Sequence, residues 1–244
     1  MDSSPASLLV THIVNALHQH RQDHTHPFPF HTVSEILPRE TIAALRALPC
    51  KPLPLEGTRA AHNATRQYFT GAFQAQHPVA AEIAAAFQNS AVVKALEDTA
   101  HTSLKGTHVL VEICADEGTS ALVPHRDIGV KKFTALFYLS DDPALAHAGT
   151  DLYTPKAECA EHIAAAAAQT GEAPREMFLE QSTRPAYGQG LGYYFVPSDK
   201  SWHGFDQRPL GGLRQTLMVN FIGPAANGES YRNTHNLAFP ENPV

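Results

Sequence analysis

The chain has 244 residues, 43% of them hydrophobic and 17% charged, with a formal net charge of -6. That length and apolar share suit a single self-folding domain and exclude a disordered polar tail. With 18 Lys+Arg against 24 Asp+Glu and no basic run longer than Lys131-Lys132, the charge excludes a nucleic-acid footprint.

No stretch approaches the roughly 20 apolar residues that span a bilayer, and the first basic residue is Arg21, so a basic-then-apolar leader is missing. The expected location is the cytoplasm, with no membrane partner. Cys50, Cys114 and Cys159, odd in number and far apart, fit neither a disulfide framework nor a thiolate zinc site and read as reduced thiols.

In chain order, residues 1–106 read as helical support. Leu8, Leu9, Ile13, Val14 and Leu17 keep the spacing of an amphipathic helix, with Ser3, Ser4 and Pro5 ahead of it and Pro27 and Pro29 behind. Pro38-Arg39-Glu40 opens a second helix through Leu48, stopped near Pro52, and 78–96 is a third, Ala-rich one. From about 107 short β-rich runs take over, at 108–114, 124–128, 133–140, 150–154, 192–197, 201–205 and 215–222. A core at 107–222, mainly β, is therefore expected, followed by a tail at 223–244. Residues 156–189, with a helix at 158–169 ended by Gly171, form an insertion too long for a hairpin loop and are expected to act as a lid.

Fifteen histidines breed false motifs. His18, His20, His24 and His26 sit beside helix-breaking prolines and read as solvated surface residues. Glu158 and His162, one helical turn apart, read the same way. His125-Arg126-Asp127 is a His-x-acid triplet, of which chance alone supplies about one or two in this composition. Its value is position: on a strand, residues i and i+2 point to one face, so both side chains would enter one cavity.

His203 is expected to join them from a neighbouring strand. If the runs on either side of 206–213 pair as a hairpin, His203 faces Arg214, and Arg214 with Thr216 looks into the cavity. Two histidines and a carboxylate on one side of a metal is the arrangement of non-haem iron oxygenases. A guanidinium and a hydroxyl beside it make a receptor for a carboxylate. A metal-only isomerase or sensor would not need that receptor, and a purely structural sandwich would need neither.

These pieces, in order, are Val123-Pro124-His125-Arg126-Asp127, then Phe133 to Leu139, Gly149-Thr150-Asp151-Leu152-Tyr153, Ser201-Trp202-His203-Gly204 and Arg214-Gln215-Thr216-Leu217. Over about 107–222 the chain resembles the Fe(II)/2-oxoglutarate-dependent oxygenase superfamily. Pro27-Phe28-Pro29-Phe30 and Ile36-Leu37-Pro38 resemble the lead-in of bacterial prolyl-hydroxylase-like members. The resemblance implies a double-stranded β-helix, the cupin-like jelly roll. It implies iron held by His125, Asp127 and His203, and 2-oxoglutarate held by Arg214, Thr216 and Tyr138. Dioxygen is the second cosubstrate and ascorbate an auxiliary reductant.

Two positions depart from the pattern: Cys114-Ala115 stands where relatives carry an aromatic, and Arg214 where prolyl hydroxylases usually place lysine. The implied activity is hydroxylation of a small polar, amino-acid-like or natural-product molecule. The alternatives are a peptidyl hydroxylase of the same superfamily, and a non-oxidative cupin-like isomerase or sensor. Arg66, Tyr68, Arg126, Lys131 and Arg184 are the candidate substrate contacts. A homodimer is compatible with this reading.

Overall fold

A computed structural model of the chain describes residues 5–50, 66–127 and 129–223. Expectations at Ser3, Ser4, Pro52, Ile128 and 224–244 lie outside those residues. The first helix, α1, runs Pro5–Gln19, and its Leu9, Ile13 and Leu17 are buried as the spacing requires. Short strands β1 (Arg21–His24) and β2 (Phe30–Val33) precede α2 (Arg39–Arg46). After β3 (Arg66–Tyr68) come α3 (Gly71–Gln76), α4 (Pro78–Gln88) and α5 (Ser90–Ala100). The helix expected over 78–96 is thus two. Asn89 breaks it, extended at ψ 132, and its side-chain oxygen accepts from the Ala91 N–H as an N-cap.

Strands β4 (His108–Asp116), β5 (Thr119–His125), β6 (Lys131–Tyr138), β7 (Asp151–Leu152), β8 (Gly192–Phe195), β9 (His203–Pro209) and β10 (Arg214–Ile222) follow, with α6 (Ala160–Thr170) between β7 and β8. The strands form a seven-stranded sheet in the order β1-β2-β8-β6-β10-β4-β3 and a three-stranded sheet in the order β5-β9-β7. The first hundred residues therefore give three strands to the larger sheet. At three or four residues each, these are too short to show a period of two.

The expected pairing of the last two strands is overturned. Strands β9 and β10 are not a hairpin: β9 pairs with β5 and β7, and β10 with β4 and β6. Pro209, which has no N–H, ends β9, and the Leu210 N–H stays on the smaller sheet by donating to the Gly118 carbonyl at 2.7 Å. Gly211, at φ +75, then turns the chain across to the other sheet.

The larger sheet separates two cores. On its outer face Val111, Ile113, Phe133, Ala135, Phe137, Leu217, Val219 and Phe221 pack with helix residues such as Ile13, Ile83, Phe87 and Leu96. On its inner face Leu136, Tyr138, Tyr193, Phe195 and Met218 meet Leu152 and Phe205 of the smaller sheet. Two sheets face each other, and alternate residues of every inner strand point into the gap.

Residues 156–189 are bonded along the smaller sheet. The Arg126 N–H donates to the Gly171 carbonyl at 2.9 Å and the Ala173 N–H to the Pro124 carbonyl at 2.9 Å. Leu152 and Thr183 exchange backbone bonds of 2.8 and 3.0 Å. Ile163, Ala167 and Phe178 form a third cluster with Tyr153 and Trp202. Among the described residues no helix is long and apolar enough to cross a membrane. Cys50, Cys114 and Cys159 are not in disulfides.

Candidate metal centre

His125 ends β5 and His203 begins β9, and the two are direct partners across the smaller sheet, with ring centroids 4.3 Å apart. Their closeness depends on Gly204: a Cβ there would lie 2.5 Å from the Leu122 carbonyl oxygen, so a larger residue would push β9 off β5. Each ring donates its Nδ1–H to the carbonyl two residues earlier, His125 to Val123 at 3.0 Å and His203 to Ser201 at 2.9 Å. A carbonyl can only accept, so each ring carries a proton on Nδ1, and in its neutral form it would offer Nε2 to a metal.

Asp127 lies two residues beyond β5 rather than on it, in backbone fixed by the Arg126 bond to Gly171. One ligand atom from each of His125, Asp127 and His203 falls within 4.8 Å of the others, the one such group among the described residues. Both oxygens of Asp127 have partners: Lys131 Nζ donates to Oδ1 at 2.7 Å, and Thr134 Oγ1 to Oδ2 at 2.7 Å. Burial opposes the carboxylate's charge, but Lys131 and the two histidines outweigh it and hold the group ionised well below the usual range.

The Thr134 hydroxyl lies 3.2 Å from Asn220 Oδ1, Asn220 Nδ2 donates to Glu112 Oε1 at 3.5 Å, and Arg66 Nη1 donates to the same oxygen at 2.7 Å. This polar line across the inner face buttresses Asp127 from behind.

A second polar group occupies the same face. Thr216 pairs with Tyr138 on one side and Cys114 on the other, so all three side chains enter the gap. Arg214 faces Asp116, not His203. Its Nη1 donates to Asp116 Oδ2 at 2.7 Å, its Nε to the Ala148 carbonyl at 2.8 Å and its Nη2 to Thr150 Oγ1 at 3.4 Å.

The guanidinium reaches the gap all the same, because β9 packs against it: the Phe205 ring centroid is 5.1 Å away. Burial raises the Tyr138 pKa, and its neutral hydroxyl bonds Thr150 at 3.4 Å. Thr216 Oγ1 is buried with no hydrogen-bond partner. An orphaned hydroxyl beside a fixed guanidinium fits a carboxylate.

No family profile and no curated protein sequence matches the chain. Solved structures do. A prolyl 4-hydroxylase from Phytophthora capsici is 15% identical, with 93% of this chain and 68% of that one covered and a TM-score of 0.55. AviO1 from Streptomyces viridochromogenes is 13% identical over 93% of this chain and 98% of its own, with a TM-score of 0.50. HygX from Streptomyces hygroscopicus, solved with nickel and 2-oxoglutarate, is 12% identical over 80% and 82%, also at 0.50. The chain shares their fold.

The expected substrate contacts fare differently from the triad. Arg66 is paired with Glu112 and Arg184 with Asp151, both at 2.7 Å. Arg126 lies over the Trp202 ring, 5.2 Å from its centroid. Of the N-terminal histidines, His20 meets Glu35 at 3.1 Å and His24 stacks on Phe30. Sequence reasoning missed Thr134 and Asp116, and did not pair Lys131 with Asp127. The four-residue spacing of Asp127 and Lys131 was a visible signal, whereas Asp116 emerges only from the register of β4 on β10.

Proposed function

We propose that this chain is an Fe(II)- and 2-oxoglutarate-dependent dioxygenase on a double-stranded β-helix, hydroxylating an unactivated C–H bond of a small polar substrate. The observation that carries this reading is the pair of histidines with Nδ1 tied to backbone carbonyls, beside an ionised carboxylate within 4.8 Å. His125, Asp127 and His203 would hold iron through Nε2, a carboxylate oxygen and Nε2. Arg214, Thr216 and Tyr138 would hold the distal carboxylate of 2-oxoglutarate. Iron with 2-oxoglutarate and dioxygen supplies the oxidant for the C–H bond and leaves succinate and carbon dioxide.

The protein's share is placement and exclusion of water. The buried ring of Phe195, 5.1 Å from His203, and the aromatic layer of Tyr138 and Tyr193 keep the gap dry. In this reading the whole chain works as one domain in the cytoplasm, with 1–106 supporting the core at 107–222 and 156–189 walling the substrate side.

Reconstituted protein should bind about one divalent metal ion per chain and release succinate from 2-oxoglutarate. His125→Ala and His203→Ala should each lose the metal. Unchanged metal content in both variants would overturn the assignment.

A further inference from the structure

Asp127 opens onto a cleft of about 610 Å³ whose wall also carries Arg126, Lys131, Lys132 and Asp199. A metal takes one lone pair of the Asp127 carboxylate, each of whose oxygens already accepts one hydrogen bond, from Lys131 and from Thr134. Thr134 is the fixed partner: β-branched, 1% exposed, mid-strand and set against the fully buried Asn220. Lys131 is the movable one, on a flexible four-carbon stem at the first position of β6, with the cleft beside it. An ammonium and a dication on one carboxylate repel, so the lysine yields.

We propose that Lys131 is the resident cation of the metal site, and that a metal taking Asp127 sends the lysine ammonium into the cleft, where with Arg126 and Lys132 it binds an anionic group of the substrate. The group is a carboxylate or a phosphate. With Asp127 claimed by the metal, three cations of the cleft face one carboxylate, Asp199. Substrate binding is thereby made to follow metal loading. The inference rests on the metal site proposed above.

The chain has a single tryptophan, and it lies beneath Arg126, so its fluorescence reports anions arriving there. Zinc stands in for iron, and the probes are methyl phosphate and acetate, whose separate arms tell phosphate from carboxylate. Zinc-loaded protein should bind one of them at least about tenfold more tightly than metal-free protein does, as expected when a paired ammonium is released.

Lys132→Gln should weaken that binding. Lys131→Met should abolish the zinc dependence and bind zinc severalfold more tightly, its competitor being gone, while Lys131→Arg should keep the dependence. Equal anion affinity with and without zinc, or a full zinc effect in Lys131→Met, would overturn the exchange. Failure to bind zinc at all would overturn the metal site instead.

Discussion

Arg214 holds three acceptors before any cosubstrate arrives, and one of them is the carboxylate of Asp116. Burial works against the guanidinium's charge, but Asp116 more than offsets this and raises the Arg214 pKa above its ordinary value. The cation is therefore permanent, partly neutralised, and aimed by its partner. A 2-oxoglutarate carboxylate would compete with Asp116 for the same fork. Asp116→Asn keeps the shape and removes the charge, so it should tighten 2-oxoglutarate binding severalfold. Arg214→Lys loses the fork and should weaken it by about tenfold or more, with little effect on substrate affinity. Cosubstrate titration of the two variants checks this, and movement in one direction by both would refute it. Of this site Arg214 and Thr216 were legible as a guanidinium and a hydroxyl two residues apart. Asp116 was not, because it acts through the register of β4 on β10, which no local pattern encodes.

Among the elements, the strands of the core were legible and their partners were not. β-Branched and aromatic runs mark where β4, β6, β8 and β10 lie, since those features belong to each strand alone. Pairing is non-local, and the short spacing of β9 and β10 suggested a hairpin that a proline and a positive-φ glycine prevent. The insertion shows the same limit. Its length and its helix were legible, but not the backbone bonds that join it to β5 and to β7. Asp151 pins its far end, fully buried and accepting from Ser182 at 2.8 Å, Arg184 at 2.8 Å, Arg208 at 2.6 Å and the Asp206 N–H at 2.7 Å. Burial would raise its pKa, but Arg208 and the Asp206 N–H prevail and lower it. A depressed carboxylate stabilises the fold above its unfolded pKa of about 3.9 and loses that contribution as pH falls through the folded value. Asp151→Asn should therefore weaken the fold at neutral pH and flatten its acid loss. Removing one partner of such a buried network costs about 3–5 kcal/mol. Trypsin should cut within 156–189 faster in the variant, and in the wild type at a rate indifferent to zinc and 2-oxoglutarate. Ligand-dependent protection of the wild type would instead mark a segment that closes over the site.

For the molecule as a whole, the larger sheet divides stability from chemistry. Its outer face is apolar from β4 through β6 and β10 and is sealed by helices, while its inner face carries Arg214, Thr216, Tyr138, Thr134 and Glu112. Alternation forces this division, since neighbours such as Phe137 and Tyr138 point to opposite sides. Phe87 of α4 stacks on Phe137 with centroids 5.8 Å apart and planes at 16°, both rings wholly or almost wholly buried. Phe87→Ala opens a cavity between helix and sheet and should cost about 3–5 kcal/mol. For a chain of this size that lowers the melting temperature by roughly 6–20 °C. The metal ligands are held from the other side of the sheet, by the backbone bonds of His125 and His203 and by Thr134. Sites that share no partner act independently, so the folded variant at 25 °C should bind zinc within about twofold of the wild type. Thermal denaturation and zinc titration of the same preparation read the two effects separately. A large fall in zinc affinity with the fold intact would mean that the helical layer sets the geometry of the metal site, and that the two faces are mechanically one.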